Sequence, residues 1–448
     1  MSNKVLVIGA GLSGTLLAIR LAQRGMQVKL VEKRSDIRKM EFVGGRSINL
    51  ALSDRGLKAL RMVGLEEEVL KQCIPMKGRR IHPSGGEEFT SPYSGREGKH
   101  INSVSRGGLN ILLLNKAESL DNLELQFDMP CDGVDLDRPA AHFKDREGNN
   151  IRISADYIFG ADGSNSAVRQ SMQERHHHLV FSLSQQYLSH AYKELSIPPS
   201  EGGGFRMEKN ALHIWPRGGF MLIALPNLDG SFTVTLFLAH EGENSFKKLQ
   251  TANDVKAFFT THFPDAVPLM PTLVEDFFGH PTGLLATIKC DPWSANGKTL
   301  ILGDAAHAIV PFYGQGMNAS FEDVSVFDQM LDLNSGDLEK TIRSYGKQRK
   351  TDTDAIADLA IDNFYEMRDH VANPVFQRKR KIEMELEKKY PDYTSKYSMV
   401  TFNEDMPYAR AMEKGREQDR MLMNVCEGIS SVEELDISEV YKQLKKIQ

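Results

Sequence analysis

The chain has 448 residues, 41% of them hydrophobic and 26% charged, with a formal net charge of -5. That length exceeds one ordinary domain and supports two or three packed units, and the mild acidity offers no basic patch to a nucleic acid or an acidic surface. Four scattered cysteines, Cys73, Cys131, Cys290 and Cys426, form no C-x-x-C pair or disulfide scaffold, and no run of about 18 apolar residues occurs, so a soluble cytoplasmic protein is expected.

Residues 4 to 8, "KVLVI", read as a short buried strand. Gly9-Ala-Gly11-Leu-Ser13-Gly14 follows, and "TLLAIRLAQRG" then carries helical periodicity that closes at Gly25. Glycines at nucleotide-fold spacing, with no small-residue cleavage site after them, exclude a signal peptide. "QVKLVE" is the next strand, ending at Glu32, 18 positions after Gly14. Strand, glycine turn, helix and acid together indicate a dinucleotide site. The turn admits a pyrophosphate at a helix N-terminus, and the acid accepts from ribose hydroxyls. The pattern does not choose between NAD and FAD.

Farther along, "YIFGADGSNSAVRQ" (157–170) reads as a strand ending in Gly160-Ala-Asp162-Gly163, then a capped helix carrying Arg169. Alone it is a strand–turn–helix joint. The triplet His176-His177-His178 after Arg175 is expected in a solvated loop, because adjacent side chains converge poorly on one ion, and no metal is expected. "ALHIWPRGGFMLIALPN" and "SFTVTLFLAH" are strand-rich. A buried strand over 299–302 then runs into Gly303-Asp304, a proline turn, Gly314 and Gly316, with a helix from about Met317-Asn318. An aspartate at a strand end can hold a sugar hydroxyl. A helix start with free N–H donors suits an anion such as reduced flavin. One ligand reaching both corners is FAD. The last 100 or so residues read as helical and charge-laced, with "FQRKRKIEMELEKKY" (376–390) expected as a solvated helix.

Gly9-x-Gly11-x-x-Gly14, Gly160-x-Asp162-Gly163 and Gly303-Asp304-Ala-Ala-His307, in this order, resemble the single-component FAD-dependent aromatic hydroxylases. The resemblance implies an α/β fold with a Rossmann-like FAD-binding domain over 1–75, 101–180 and 290–345. A β-sheet substrate domain over 76–100 and 181–289 would be interleaved with it, and a C-terminal helical cap would cover 346–448. In that family the middle motif serves FAD and transient NAD(P)H contact, and the last serves the flavin's ribityl chain. Longer stretches resemble the kynurenine-hydroxylating branch: "GRSINLALSDRG" (45–56), "IPMKGRRIHP" (74–83), "LHIWPRGGFMLIALPN" (212–227), "SFTVTLFL" (231–238), "LGDAAHAIVPFYGQGMN" (302–318) and "YSMVTF" (397–402). What they imply is hydroxylation of L-kynurenine to 3-hydroxykynurenine in tryptophan degradation, with FAD bound and NADPH and O2 consumed.

By the same resemblance the substrate carboxylate falls to Arg79 and Tyr93, with Asn363 and Tyr397 completing the pocket. The apolar lining falls on Leu212, Met221, Ile223, Phe237, Pro311, Phe312 and Met367. The cofactor set is Gly9, Gly11, Ser13, Gly14, Glu32, Lys33, Arg34, Ala51, Arg106, Asp162, Asp304, Gly316, Met317 and Asn318. No catalytic acid or base is assigned, because the hard chemistry belongs to the flavin. Tyr313 stands where some bacterial relatives carry His, which argues against an obligatory histidine base. Eukaryotic relatives end in a hydrophobic anchor, whereas "SEVYKQLKKIQ" is polar, so a bacterial-type enzyme without a membrane anchor is expected, as monomer or homodimer. A hydroxylase of another aromatic acid and a non-catalytic flavin sensor remain the alternatives.

Overall fold

The structure, a computed structural model, describes residues 2–39, 49–85, 87–174, 179–370 and 373–446. The His176–His178 triplet and residues 45–48 of the first kynurenine-branch stretch lie outside the described residues.

A six-stranded sheet holds the nucleotide-type motifs. Lys4–Ile8 pairs in parallel with Tyr157–Gly160 on one side and Gln27–Val31 on the other. Thr299–Ile301 and Leu123–Gln126 extend it in parallel, and Ser294–Ala295 closes one edge antiparallel. Val5 to Ile8 are all buried, as a strand covered on both faces requires. Parallel pairing puts the C-terminal ends of three neighbouring strands on one edge. The turns after Ile8, Gly160 and Ile301 therefore meet although they are far apart in sequence. Helix Leu12–Gln23 packs behind the first turn, and Gly25 takes a positive φ of 84° just after it.

A seven-stranded sheet is assembled from two separated stretches. Its order is Gly283–Asp291, Ser182–Ile197, Phe232–Ala239, Met221–Pro226, Ala211–Pro216, Gly78–Ile81 and Phe89–Pro92. Pairing is antiparallel except between Ala211–Pro216 and Gly78–Ile81. Side chains alternate across it. Trp215, Leu222, Ala224, Val234 and Leu236 pack on Val255, Phe258 and Phe259 of helix Ala252–His262. Ile214, Met221 and Phe237 face the other way, into a cluster with Phe312, Phe364 and Met367.

Two further antiparallel sheets complete the strands among the described residues: Cys131–Asp135, Ala140–Lys144 and Asn150–Ser154, and Asn49–Leu52, Ile101–Ser105 and Cys73–Met76. The second touches the seven-stranded sheet, since Asn49 Nδ2 donates to the Pro226 carbonyl at 2.8 Å.

After helix Gly316–Leu333 the chain is helical: Leu338–Tyr365, Pro374–Lys389, Lys396–Thr401, Tyr408–Glu427 and Ile437–Lys445. The charge-laced helix Pro374–Lys389 is not simply solvated, which corrects the reading from sequence. It buries Phe376, Ile382 and Leu386 together with Lys379, Glu383 and Glu387. The buried charges are partnered. Lys379 pairs with Asp419 at 2.5 Å, and Glu387 accepts from Ser94 at 2.5 Å and from the Ser395 hydroxyl at 2.7 Å.

Candidate active site

Backbone contacts lock the motif turns together. Gly9 has φ 103°, and a Cβ there would lie 2.5 Å from the Ala161 carbonyl oxygen. A Cβ on Gly14 would come within 2.0 Å of the Gly9 oxygen, so the turn closes only with glycine. Gly303, at φ 61°, brings the second corner against the first: a Cβ there would meet Ser13 Oγ at 2.9 Å. Leu302 N–H donates to the Gly160 carbonyl at 3.0 Å and joins the middle motif to the last.

A single cavity of about 860 Å³ runs from these turns to the seven-stranded sheet. Gly9, Gly11, Ser13, Glu32, Lys33 and Arg34 line one end of it, and Ala51, Arg106, Asp162, Asp304, Gly316 and Met317 also face it. Arg79, Tyr93 and Tyr397 line it as well, with Leu212, Met221, Ile223, Phe237, Pro311, Phe312 and Met367.

Three expected residues do not line it. Gly14 packs behind the turn. Asn318 is fully buried and holds the Ala51 and Gly314 carbonyls at 2.8 and 2.9 Å while accepting from Ser53 N–H. Asn363 donates to the Phe312 carbonyl at 2.6 Å. These side chains shape the wall from behind.

The glycine end fits a dinucleotide. Gly11 has nothing within 4 Å of where a Cβ would stand, leaving open space beside the start of a helix. Glu32 lies at the adjacent strand end. Its carboxylate also braces the turn, accepting from Ala10 N–H at 2.8 Å and from Arg34 Nε at 2.8 Å. Asp162 is committed differently: it caps helix Ala167–Glu174 by accepting from Ala167 N–H at 2.7 Å and from Ser166 Oγ at 2.5 Å. Asp304 offers an accessible carboxylate to the cavity from the turn after strand Thr299–Ile301. Desolvation by the surrounding protein raises that carboxyl above the usual range, opposed by Arg106 and His307. Helix Gly316–Leu333 begins at the cavity with no capping side chain, so its first-turn N–H groups can receive an anionic edge.

The opposite end is aromatic around one cation. The Tyr397 ring stacks between Tyr93 at 5.4 Å and Tyr313 at 5.7 Å, and the Arg79 guanidinium lies 5.0 Å from the Tyr397 centroid. Arg79 is only 8% exposed, its Nε has no hydrogen-bond partner, and no carboxylate among the described residues pairs with it. Tyr93 Oη and Tyr313 Oη likewise have no hydrogen-bond partner of good geometry among the described residues. Burial pushes both phenols well above their ordinary range, so each stays an O–H donor. A buried cation without a counter-ion is costly. Beside two phenol donors it has the chemistry to accept a carboxylate.

Several residues matter to which the sequence reading gave no role. Arg169 donates to the Ala305 carbonyl at 2.8 Å and to that of Ser164, clamping the middle and last motifs together. Asp323 accepts from Gly303 N–H at 2.8 Å, His307 Nε2 at 2.5 Å and Arg349 Nε at 2.8 Å. Arg349 and Arg55 both pair with Glu322, at 2.8 and 2.5 Å. Tyr192 lines the cavity from the long strand Ser182–Ile197, where nothing in the local pattern marks it. The cysteine beside the cavity, Cys131, has its thiol pushed up to about 12 by burial, so it is no nucleophile.

The family described as FAD binding domain matches residues 2–359. The chain is 48% identical over 437 residues to the kynurenine 3-monooxygenase of Myxococcus xanthus (strain DK1622), covering 97% of this chain and 93% of that protein. It is 42% identical over 461 residues to the kynurenine 3-monooxygenase of Dictyostelium discoideum, covering 100% of this chain and 98% of that one. Among solved structures, 2-methyl-3-hydroxypyridine-5-carboxylic acid oxygenase superposes with a TM-score of 0.67 at 20% identity, over 86% of this chain and 97% of the other, a likeness of fold. Matched along almost its whole length, and with its glycine turns gathered on one cavity, the chain belongs to the kynurenine 3-monooxygenase family of FAD-binding-domain proteins.

Proposed function

We propose that this protein is an FAD-dependent monooxygenase that converts L-kynurenine, NADPH, a proton and O2 into 3-hydroxykynurenine, NADP+ and water. The observation that carries the reading is one cavity joining a dinucleotide turn to a buried arginine that has no carboxylate partner among the described residues and lies beside tyrosine rings.

FAD would be held by the turn Gly9–Gly14, Glu32, Asp304 and the start of helix Gly316–Leu333. Bound there and reduced by NADPH, it supplies the activation of O2 for transfer of one oxygen atom to an electron-rich aromatic carbon. The protein contributes position, charge and dryness. Arg79 and Tyr93 hold the substrate carboxylate by a two-donor fork and a phenol O–H. Met221, Ile223, Phe237 and Phe312 press on the aromatic ring and keep water out. The uncapped helix start stabilises negative charge beside Met317. No side chain is assigned as general base, and burial holds the Tyr313 and Tyr93 phenols protonated.

L-kynurenine should accelerate NADPH oxidation by the flavin-loaded protein and yield a product heavier by one oxygen atom. NADPH oxidation indifferent to L-kynurenine, or one that forms no oxygenated product, contradicts the proposal. Asp304→Ala should weaken FAD retention by about 10- to 100-fold, the scale of a lost charge-assisted hydrogen bond. Flavin fluorescence released on dialysis measures it, and unchanged retention would remove Asp304 from the cofactor set.

A further inference from the structure

The strand that carries Arg79 leads into a second polar cluster, on the face of the seven-stranded sheet turned away from the cavity. Arg79 and Ile81 face the cavity side, so by strand alternation Arg80 and His82 project the opposite way, beside His213 and Trp215. His82 is 6% exposed and stacks on Trp215 with ring centroids 4.1 Å apart.

The two nitrogens of His82 meet different surroundings. Nε2 lies 2.9 Å from His213 Nδ1, and His213 Nε2 lies 2.8 Å from the Glu208 carbonyl, which can only accept. A neutral His213 therefore donates to Glu208 and accepts from His82 Nε2–H. With His82 neutral, that arrangement leaves Nδ1 as a lone pair; with His82 protonated, Nδ1–H points at the carboxylates of Glu88 and Asp265. The atom is buried and has no hydrogen-bond partner among the described residues. It nevertheless sits 3.1 Å from Glu88 Oε1 and 3.4 Å from Asp265 Oδ2. A lone pair facing two carboxylate oxygens is repulsive, so either a proton on Nδ1 or a metal ion stands between them.

We propose that His82 Nδ1, Glu88 and Asp265 form a binding site for a divalent transition-metal ion of the zinc type. Their donor atoms all lie within 4.8 Å of one another. Ligands at about 2.0–2.1 Å from a tetrahedral ion stand roughly 3.3–3.4 Å apart, against 3.4 Å from His82 to Asp265 and a slightly shorter 3.1 Å to Glu88. One imidazole with two carboxylates suits zinc better than magnesium or calcium, which favour all-oxygen sets. Outer partners orient each ligand. His213 fixes the His82 tautomer, Trp215 Nε1–H donates to Asp265 Oδ2 at 2.6 Å, and Arg80 Nε holds Glu88 Oε2 at 3.1 Å, leaving Oε1 toward His82. Glu88 and Asp265 are 45% and 44% exposed, so the ion has an access route and room for a water ligand. The ion would tie strand Gly78–Ile81 and the segment leading into Phe89–Pro92 to the turn after helix Ala252–His262, bracing from outside the strand that presents Arg79.

The test uses the full-length, flavin-loaded protein after chelator treatment, with the His176–His178 triplet replaced by alanine throughout so that it cannot bind zinc. Zn2+ titrated against a competing indicator should fill one site per chain and raise Tm, as a ligand of the folded state does, while Mg2+ and Ca2+ should not. Glu88→Gln, a change on an exposed side chain, and His82→Ala should each weaken zinc by about 100-fold or more. If His82→Ala fails to fold, Glu88→Gln and Asp265→Asn still decide the matter. Absence of stoichiometric zinc binding at micromolar concentration overturns the site, as does equal affinity in wild type and both carboxylate variants. A Tm that rises on acidification alone and ignores zinc also overturns it, because a proton on the histidine pair would then be the cation.

Discussion

Arg79→Ala should raise KM for L-kynurenine by about 100-fold or more while FAD stays bound and its spectrum is unchanged. Truncating one partner of a buried, hydrogen-bonded charge pair costs about 2–5 kcal/mol, and each 1.4 kcal/mol is roughly tenfold in affinity. The cost should fall on binding because Arg79 Nε has no partner among the described residues and its guanidinium lies over tyrosine rings, not a carboxylate. Arg79→Lys should recover only part of the loss, since an ammonium lacks the planar fork. Steady-state kinetics with parallel flavin absorbance separate the outcomes. An unchanged KM with lost flavin would assign Arg79 to the cofactor, and an unchanged KM with retained flavin would leave the carboxylate receptor elsewhere.

Asp323→Ala should destabilise the protein by about 3–5 kcal/mol, the range for breaking a buried ion pair, and should release FAD as well. The carboxylate is fully buried and bonds Gly303 N–H, His307 and Arg349 together, so its loss leaves those partners uncompensated. Gly303 is where the second corner meets Ser13, which couples the stability loss to flavin release. Burial alone would raise the Asp323 carboxyl, but His307 and Arg349 outweigh it and hold it below the usual range. With a folded value below the unfolded value of about 3.9, this stabilisation is complete above that pH and is lost as pH falls through the folded value. The stability gap between wild type and Asp323→Ala should thus narrow as pH falls below about 3.9. Thermal melts across pH measure it. A variant with unchanged Tm and flavin content would mean that the turn is held by other contacts.

What the sequence made legible was local. Gly9, Gly11 and Gly14 sit between a strand and a helix, and Gly303-Asp304 follows a strand, so chain order alone located both corners. Their meeting depends on parallel pairing of Lys4–Ile8, Tyr157–Gly160 and Thr299–Ile301, which no short-range pattern encodes. The proposed substrate end rests on family resemblance: Arg79, Tyr93 and Tyr397 come from a strand, the residue just after a second strand and a late helix, and no local pattern links them. Asn318 and Asn363 fall next to the cavity in sequence, yet their side chains bond backbone behind it. Arg55, Glu322, Asp323 and Arg349 pair with one another in the interior, a network the sequence reading did not identify. Their spacing gives no sign of it, because the partners lie on different elements. His82, Glu88 and Asp265 escaped notice for the same reason.

The most direct measurement is a crystal structure of the protein with FAD and L-kynurenine both bound. It should show one FAD with its adenosine end beside Glu32 and its ring beside Asp304 and Met317, and the kynurenine carboxylate on Arg79 and Tyr93. A flavin that fails to reach from the first glycine turn to the second, or a kynurenine carboxylate placed away from Arg79, would contradict this account.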